Sequence, residues 1–244
     1  MKILLIGNSY TYYHEMPTAY FEPIAKEIDP NATVDAVTCG GWTLEKFADA
    51  KIPKGKQIEE LLEENSYDVV VLQEQSVRPA AEHGYATFFD ASRRLFKKIQ
   101  KSGARVVFYA TWSHETGSLT LADYAWTHEE MTWRLAASYD AIAKELGAEV
   151  AHVGLAFREI VQAYPSIDLY AHDSRSHPSP VGSYLAALTL AAKIFEKDPR
   201  RFVFKGVSND AQDEQLKAVA ANAVFQTPEI PERYRLSSNG ISAS

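Results

Sequence analysis

A serine near the start of the chain and a histidine far downstream, with a carboxylate beside it, are the residues that could do chemistry together. Lys2-Ile3-Leu4-Leu5-Ile6-Gly7-Asn8-Ser9 reads as a short buried strand that stops at a glycine, with a serine two residues on. Gly7 permits a sharp turn. Ser9 is then expected just past the carboxyl end of the strand, where open α/β sheets bind ligands. A serine there becomes a nucleophile if an imidazole takes its proton. His177 is expected to supply it, in the run Asp173-Ser174-Arg175-Ser176-His177-Pro178-Ser179. Asp173 is the carboxylate expected to orient the ring. Three more strand ends bring Cys39-Gly40-Gly41-Trp42-Thr43, Gln73-Glu74-Gln75-Ser76 and Thr111-Trp112-Ser113-His114-Glu115. Nucleophile, base, orienter and hydrogen-bond donors are the parts needed for acyl transfer.

These residues share a rim only if the strands run parallel. Strand-like runs fall at Lys2–Ile6, Thr33–Thr38, Val69–Leu72, Arg105–Ala110 and Glu149–His152. Helical patterns lie between and after them: Pro17–Ile28, Lys56–Glu64, Thr87–Lys101, Tyr124–Leu146, Leu155–Tyr164, Val181–Phe195 and Asp210–Val224. Strands that alternate with helices predict a parallel sheet covered on both faces. Right-handed crossovers then favour a flavodoxin-like three-layer α/β/α sandwich with strand order 2-1-3-4-5. Residues 1–226 read as one domain, and residues 227–244, with two prolines and many polar residues, as an extended tail.

Composition narrows the partners. The chain has 244 residues, 46% of them hydrophobic, which suits a globular domain with a substantial core. Its formal charge of −7 and the absence of a Lys/Arg run argue against nucleic acid and anionic membrane. The single cysteine, Cys39, rules out a disulfide within the chain and fits a reducing compartment. The first apolar run is interrupted too early for a signal peptide, and no segment is long and apolar enough to span a bilayer. A soluble, cytoplasmic protein is expected. His128-Glu129-Glu130-Met131-Thr132 begins like a zinc-protease helix but carries Thr132 where the second histidine belongs. No metal site, dinucleotide motif or phosphate loop is read, so no cofactor is expected.

Ordered along the chain, the motifs resemble the four blocks of the SGNH hydrolases, the GDSL-like esterases. Ile6-Gly7-Asn8-Ser9-Tyr10-Thr11 is similar to the first block, with Asn8 in place of aspartate. Gly40-Gly41-Trp42-Thr43 is similar to the glycine block, Leu72-Gln73-Glu74-Gln75-Ser76 to the third, and His177-Pro178-Ser179 to the last. The resemblance implies a serine esterase without a cofactor. Ser9 would be the nucleophile and His177 the base. The N–H groups of Ser9 and Gly41, with the Gln75 amide, would form the oxyanion hole. Gln75 stands where the family has asparagine, and Gln73 is the alternative donor. The family's aspartate lies three residues before the histidine; that place is Ser174, and Asp173 lies four before, so a Ser–His dyad is the alternative to a triad. Stacking of a substrate ring is expected on Trp42, with Gln73 and His114 as further substrate contacts. The expected substrate is a small acyl ester, O-acetylated carbohydrates included, because flat aromatic rings with polar tips suit sugar rings. An acyltransferase using the same site and an inactive carbohydrate-binding module are the other readings.

Overall fold

The computed structural model describes residues 1–236. Five strands, β1 Lys2–Gly7, β2 Thr33–Thr38, β3 Val69–Leu72, β4 Arg105–Tyr109 and β5 Glu149–Ala151, form one sheet in the order β2-β1-β3-β4-β5. Every pairing is parallel. This is the expected strand order. The helices in chain order are α1 Ser9–Tyr12, α2 Glu22–Ile28, α3 Leu44–Phe47, α4 Pro53–Glu64, α5 Glu82–Gln100, α6 Leu119–Asp123, α7 His128–Leu146, α8 Val153–Ala163, α9 Pro180–Phe195 and α10 Asp210–Phe225.

The central strands β1, β3 and β4 read as apolar runs because both sheet faces are covered there. Ile3 and Leu5 of β1 join Val69, Val71, Val107 and Tyr109 in a core shared with α8, α9 and α10. Leu4 and Ile6 join Val70, Leu72, Val106 and Phe108 in a second core closed by α3, α4, α5 and α7. Each strand sends alternate side chains to opposite layers. All five carboxyl ends therefore face one way, and the loops that follow them meet on a single rim.

The helical expectations hold in place but not always in extent. The segment read as Tyr124–Leu146 becomes helical only at His128, because Ala125 takes a left-handed φ of 51° in the turn between α6 and α7. Thr127 then starts α7 with a reciprocal capping box to Glu130. The segment read as Pro17–Ile28 opens with a wider π-type turn, Met16–Phe21, before α2. Of the expected tail, residues 237–244 lie outside the described residues. Ile230 and Tyr234 pack on Trp133 and Leu155. No helix among the described residues is long and apolar enough to cross a membrane.

Gly7 works differently from the expectation. It is the last residue of β1 and is absent from the positive-φ positions. What it provides is space: a Cβ there would collide with Thr11 Oγ1 and Gln73 Oε1. Gly7→Ala should therefore cost about 1–3 kcal/mol by overpacking, read as a lower denaturant midpoint at unchanged m-value. An unchanged midpoint would mean that the turn under Ser9 has slack.

Candidate active site

Ser9 opens α1 immediately after β1, with Asn8 as its N-cap. The Asn8 side-chain oxygen accepts from the Tyr10 N–H at 3.1 Å, and its amide nitrogen donates to the Trp42 carbonyl at 2.9 Å. Beneath the turn lies Gln73, fully buried. Its Oε1 accepts from the Asn8 N–H at 2.8 Å and from Thr11 Oγ1 at 2.9 Å, and its Nε2 donates to the Glu74 carbonyl. Gln73 was expected to touch substrate. Instead its amide is spent on the protein, and it is the support on which the Ser9 turn rests.

His177 arrives from the other side of the rim. Ser179 caps α9 by accepting the Gly182 N–H at 3.1 Å, and Pro180 sits in the first turn. The loop before the helix is closed by Ala171 N–H donating to the His177 carbonyl at 2.9 Å. Trp112 Nε1 donates to the Ser176 carbonyl at 2.9 Å. The result brings His177 Nε2 to 2.8 Å from Ser9 Oγ, across 168 positions of sequence.

The imidazole is gripped by aromatic rings. Tyr13 stacks on it at 4.2 Å between centroids with the planes 5° apart, and Tyr10 meets it edge-on at 5.6 Å. Its Nδ1 is buried and has no hydrogen-bond partner among the described residues. Asp173 is exposed and does not supply that bond, contrary to the expectation of a direct orienting contact. Ser174, at the family's aspartate position, instead accepts the His177 N–H at 3.0 Å through Oγ and stabilises the loop. Asp173 acts on the ring only through its charge. Burial lowers the His177 pKa below the ordinary histidine value and outweighs the upward pull of Asp173. A carboxylate in contact would have moved it the other way.

Of the expected donors, Gly41 holds a left-handed φ of 67° on the exposed loop after β2. Gln75 is orientated by its own oxygen, which accepts the Val77 and Arg78 N–H groups at 3.0 and 3.1 Å. That leaves Nε2 with one long contact, 3.4 Å to Ser76 Oγ. The added methylene of glutamine is thus pinned rather than loose. Trp42 packs against Phe47 at 5.2 Å with Lys46 over its ring. His114 is buried, and its Nε2 lies 3.1 Å from Ser76 Oγ. Burial first, then the nearby His177, push its pKa down to about 4. Tyr13 and Glu74 were not singled out from the sequence. Tyr13 was one of several rim aromatics, and Glu74 was only the middle residue of a Gln-Glu-Gln run.

No protein-family model and no curated protein matches the sequence. Solved structures do. A protein assigned to the SGNH hydrolases, from Slackia heliotrinireducens, is 32% identical over 80% of this chain and 98% of its own, with a TM-score of 0.69. This chain belongs to the SGNH hydrolases. A DUF4886 family protein from Bacteroides uniformis shares the fold at 16% identity, covering 95% of this chain and 97% of its own, with a TM-score of 0.79. The acetyl xylan esterase AlAXEase does so at 14% identity over 78% and 98%, with a TM-score of 0.56.

Two histidines of this SGNH hydrolase, His114 buried and His128 half-buried, tie its stability to pH. His114 and His128 are both lowered to about 4, each chiefly by burial. Their folded pKa lies below the unfolded value, so the unfolded chain takes up the protons first. Their contribution to stability is complete above about 6.5 and is lost as pH falls through 4. Each group contributes up to ~3 kcal/mol over that span. Melting followed between pH 7 and 4.5 should lose less stability toward acid in His114→Asn than in the wild type. Equal slopes in the two proteins would refute the assignment.

Proposed function

We propose that this SGNH hydrolase is a serine esterase that acts through an acyl-enzyme on Ser9. The observation that carries the reading is the 2.8 Å approach of Ser9 Oγ to His177 Nε2 at the carboxyl rim of the sheet. With its pKa lowered, His177 is neutral at pH 7 and free to act as a base. The Ser9 proton passes to Nε2 as Oγ attacks the ester carbonyl carbon. The Ser9 and Gly41 N–H groups and the Gln75 amide are the donors for the resulting oxyanion; each such donor is worth roughly 3 kcal/mol. The imidazolium then gives its proton to the departing alkoxy oxygen, and the alcohol leaves. Water, deprotonated by the same imidazole, attacks the acyl carbon. Ser9 is released with its proton, and the acid departs.

The working unit in this reading is a Ser–His pair. Tyr13 fixes the plane of the ring, and Asp173 stabilises the imidazolium through its field. Ser9→Ala should abolish hydrolysis of p-nitrophenyl acetate while the fold survives. Asp173→Asn should lower kcat by about tenfold or less, far short of the ~10⁴-fold loss that follows removal of a directly bonded aspartate. Tyr13→Ala should lower kcat more than it changes KM, and Tyr13→Phe should retain activity. A larger loss in Asp173→Asn than in Tyr13→Ala would restore the aspartate as the orienter.

For the substrate, the supported class is a small acyl ester, with O-acetylated sugars as the specific proposal. Trp42 follows Gly41, so a group bound against its ring lies beside a proposed oxyanion donor. Tyr12 is also exposed, and a fold neighbour is named an acetyl xylan esterase. Trp42→Ala should reduce acetate release from acetylated xylose by about tenfold, as loss of one or two kcal/mol of ring contact would. Hydrolysis of p-nitrophenyl acetate should change much less. Equal losses on both substrates, or a wild type inert toward every acetylated sugar, would remove the carbohydrate assignment.

A further inference from the structure

Glu74 is a buried carboxyl that the chemistry above leaves unused. It follows β3 by two residues and has no solvent exposure. Both its oxygens face the Leu44 N–H, at 3.2 and 3.1 Å, and Oε1 also accepts the Gln75 N–H at 2.6 Å. Leu44 is the first residue of α3, directly after Gly40-Gly41-Trp42-Thr43. Gln75 carries the proposed amide donor. One side chain therefore ties together the two loops that bring donors to the oxyanion. Asn8 holds the same end of the glycine loop from the β1 side, at the Trp42 carbonyl.

We propose that Glu74 is a positioning residue: its carboxylate clamps the glycine loop to the Gln75 turn, and the oxyanion site is assembled only while Glu74 is ionised. A carboxylate accepts from both N–H groups. A carboxylic acid carries a proton on one oxygen, which then acts as a donor against donors. The clamp is weakened on protonation. The surroundings place that event within the working range. Burial pushes Glu74 up to about 7, against the pull of the Gln75 and Leu44 N–H groups and of Arg78. The facing groups are Arg78, which is paired with Glu45 at 3.1 Å, Glu45 itself, which opposes ionisation, and the Tyr139 hydroxyl, which accepts the Glu74 N–H at 3.2 Å.

The catalytic consequence rests on the esterase reading, so the test has two arms. In the first, kcat/KM on p-nitrophenyl acetate is followed from pH 4.5 to 9 for the wild type and Glu74→Gln. The wild type should rise through two ionisations, His177 below 6.5 and Glu74 near 7, with an acid limb of slope two. Glu74→Gln should show slope one and a midpoint shifted down. Its kcat at pH 8 should be about 10- to 100-fold lower, as expected of donors displaced by a fraction of an ångström, with KM little changed. Profiles of the same shape, or equal kcat at pH 8, would overturn the proposal. In the second arm, the backbone amide resonances of Leu44 and Gln75 are titrated in the Ser9→Ala protein. They should move together with a midpoint near 7. Amides that do not titrate there would overturn the clamp even if Glu74→Gln failed to fold. Amides that titrate in a protein whose wild type cleaves no ester would support the clamp and reject the esterase reading.

Discussion

The Gln73 carboxamide is the interaction on which the site depends. It lies under the first turn of the chain and satisfies the Asn8 N–H and the Thr11 hydroxyl at once. Both are buried, and an unpartnered donor there would cost about 1–3 kcal/mol. The bond also joins β1 to β3 at their carboxyl ends, so the height of Ser9 above the sheet is set by the neighbouring strand. Gly7 is required by the same contact, because a Cβ would occupy the space of the amide oxygen. Asn8 then passes the constraint on to the glycine loop through the Trp42 carbonyl. Three strand ends are thereby fixed to one another before His177 is considered.

The imidazole is held by a different kind of force. In a triad, a directed hydrogen bond sets both the tautomer and the orientation of the ring. Here Nδ1 lacks such a partner, and the plane of the ring is set by contact area: Tyr13 on its face and Tyr10 at its edge. Aromatic contacts of this kind are worth ~0.5–1.5 kcal/mol each beyond their burial. They fix tilt well but favour no charge state as strongly as a bonded carboxylate would. The low pKa of His177 follows. Tyr13 is in turn placed by backbone strain: the next two residues, His14 and Glu15, both have φ near 50°. A left-handed non-glycine residue costs about 1–3 kcal/mol and persists only where its surroundings compensate. Those surroundings include the Ser183 hydroxyl donating to the Tyr13 carbonyl and His14 Nε2 beside the Pro178 carbonyl. Both contacts lead back to the segment that carries His177.

The sheet was legible because its physics is local. Runs such as Val69–Leu72 are apolar on every residue, which only a strand buried on both faces requires, and the connection rules then leave few strand orders. The Ser9 and His177 positions were legible for a related reason, since each sits at an element boundary marked by glycine, proline or serine. The break between α6 and α7 was also present in the sequence, as Thr127 followed three residues later by Glu130. The helical periodicity running across it masked the cap. The roles of Gln73, Gln75 and Glu74 were not legible. All three lie within one short polar run, and their chemical types allow them to exchange roles. What separates them is the direction each side chain takes after the strand ends, and partners 30 to 65 positions away determine that direction for Gln73 and Glu74.

That division explains why Glu74 is a glutamate rather than a third glutamine. Gln73 meets two donors with its oxygen and one acceptor with its nitrogen, so an amide matches its surroundings. Gln75 has two donors at its oxygen, and its nitrogen keeps only the long contact to Ser76 Oγ, so an amide suits it too. At Glu74 the side chain meets only donors. An amide there would turn an N–H toward another N–H, whereas an ionised carboxylate accepts from both. The cost is burial of a charge, offset by two backbone bonds and by Arg78 at a distance. Where these opposing effects nearly cancel, the carboxyl titrates close to neutrality, and the geometry of the two loops it joins becomes coupled to pH through a buried group.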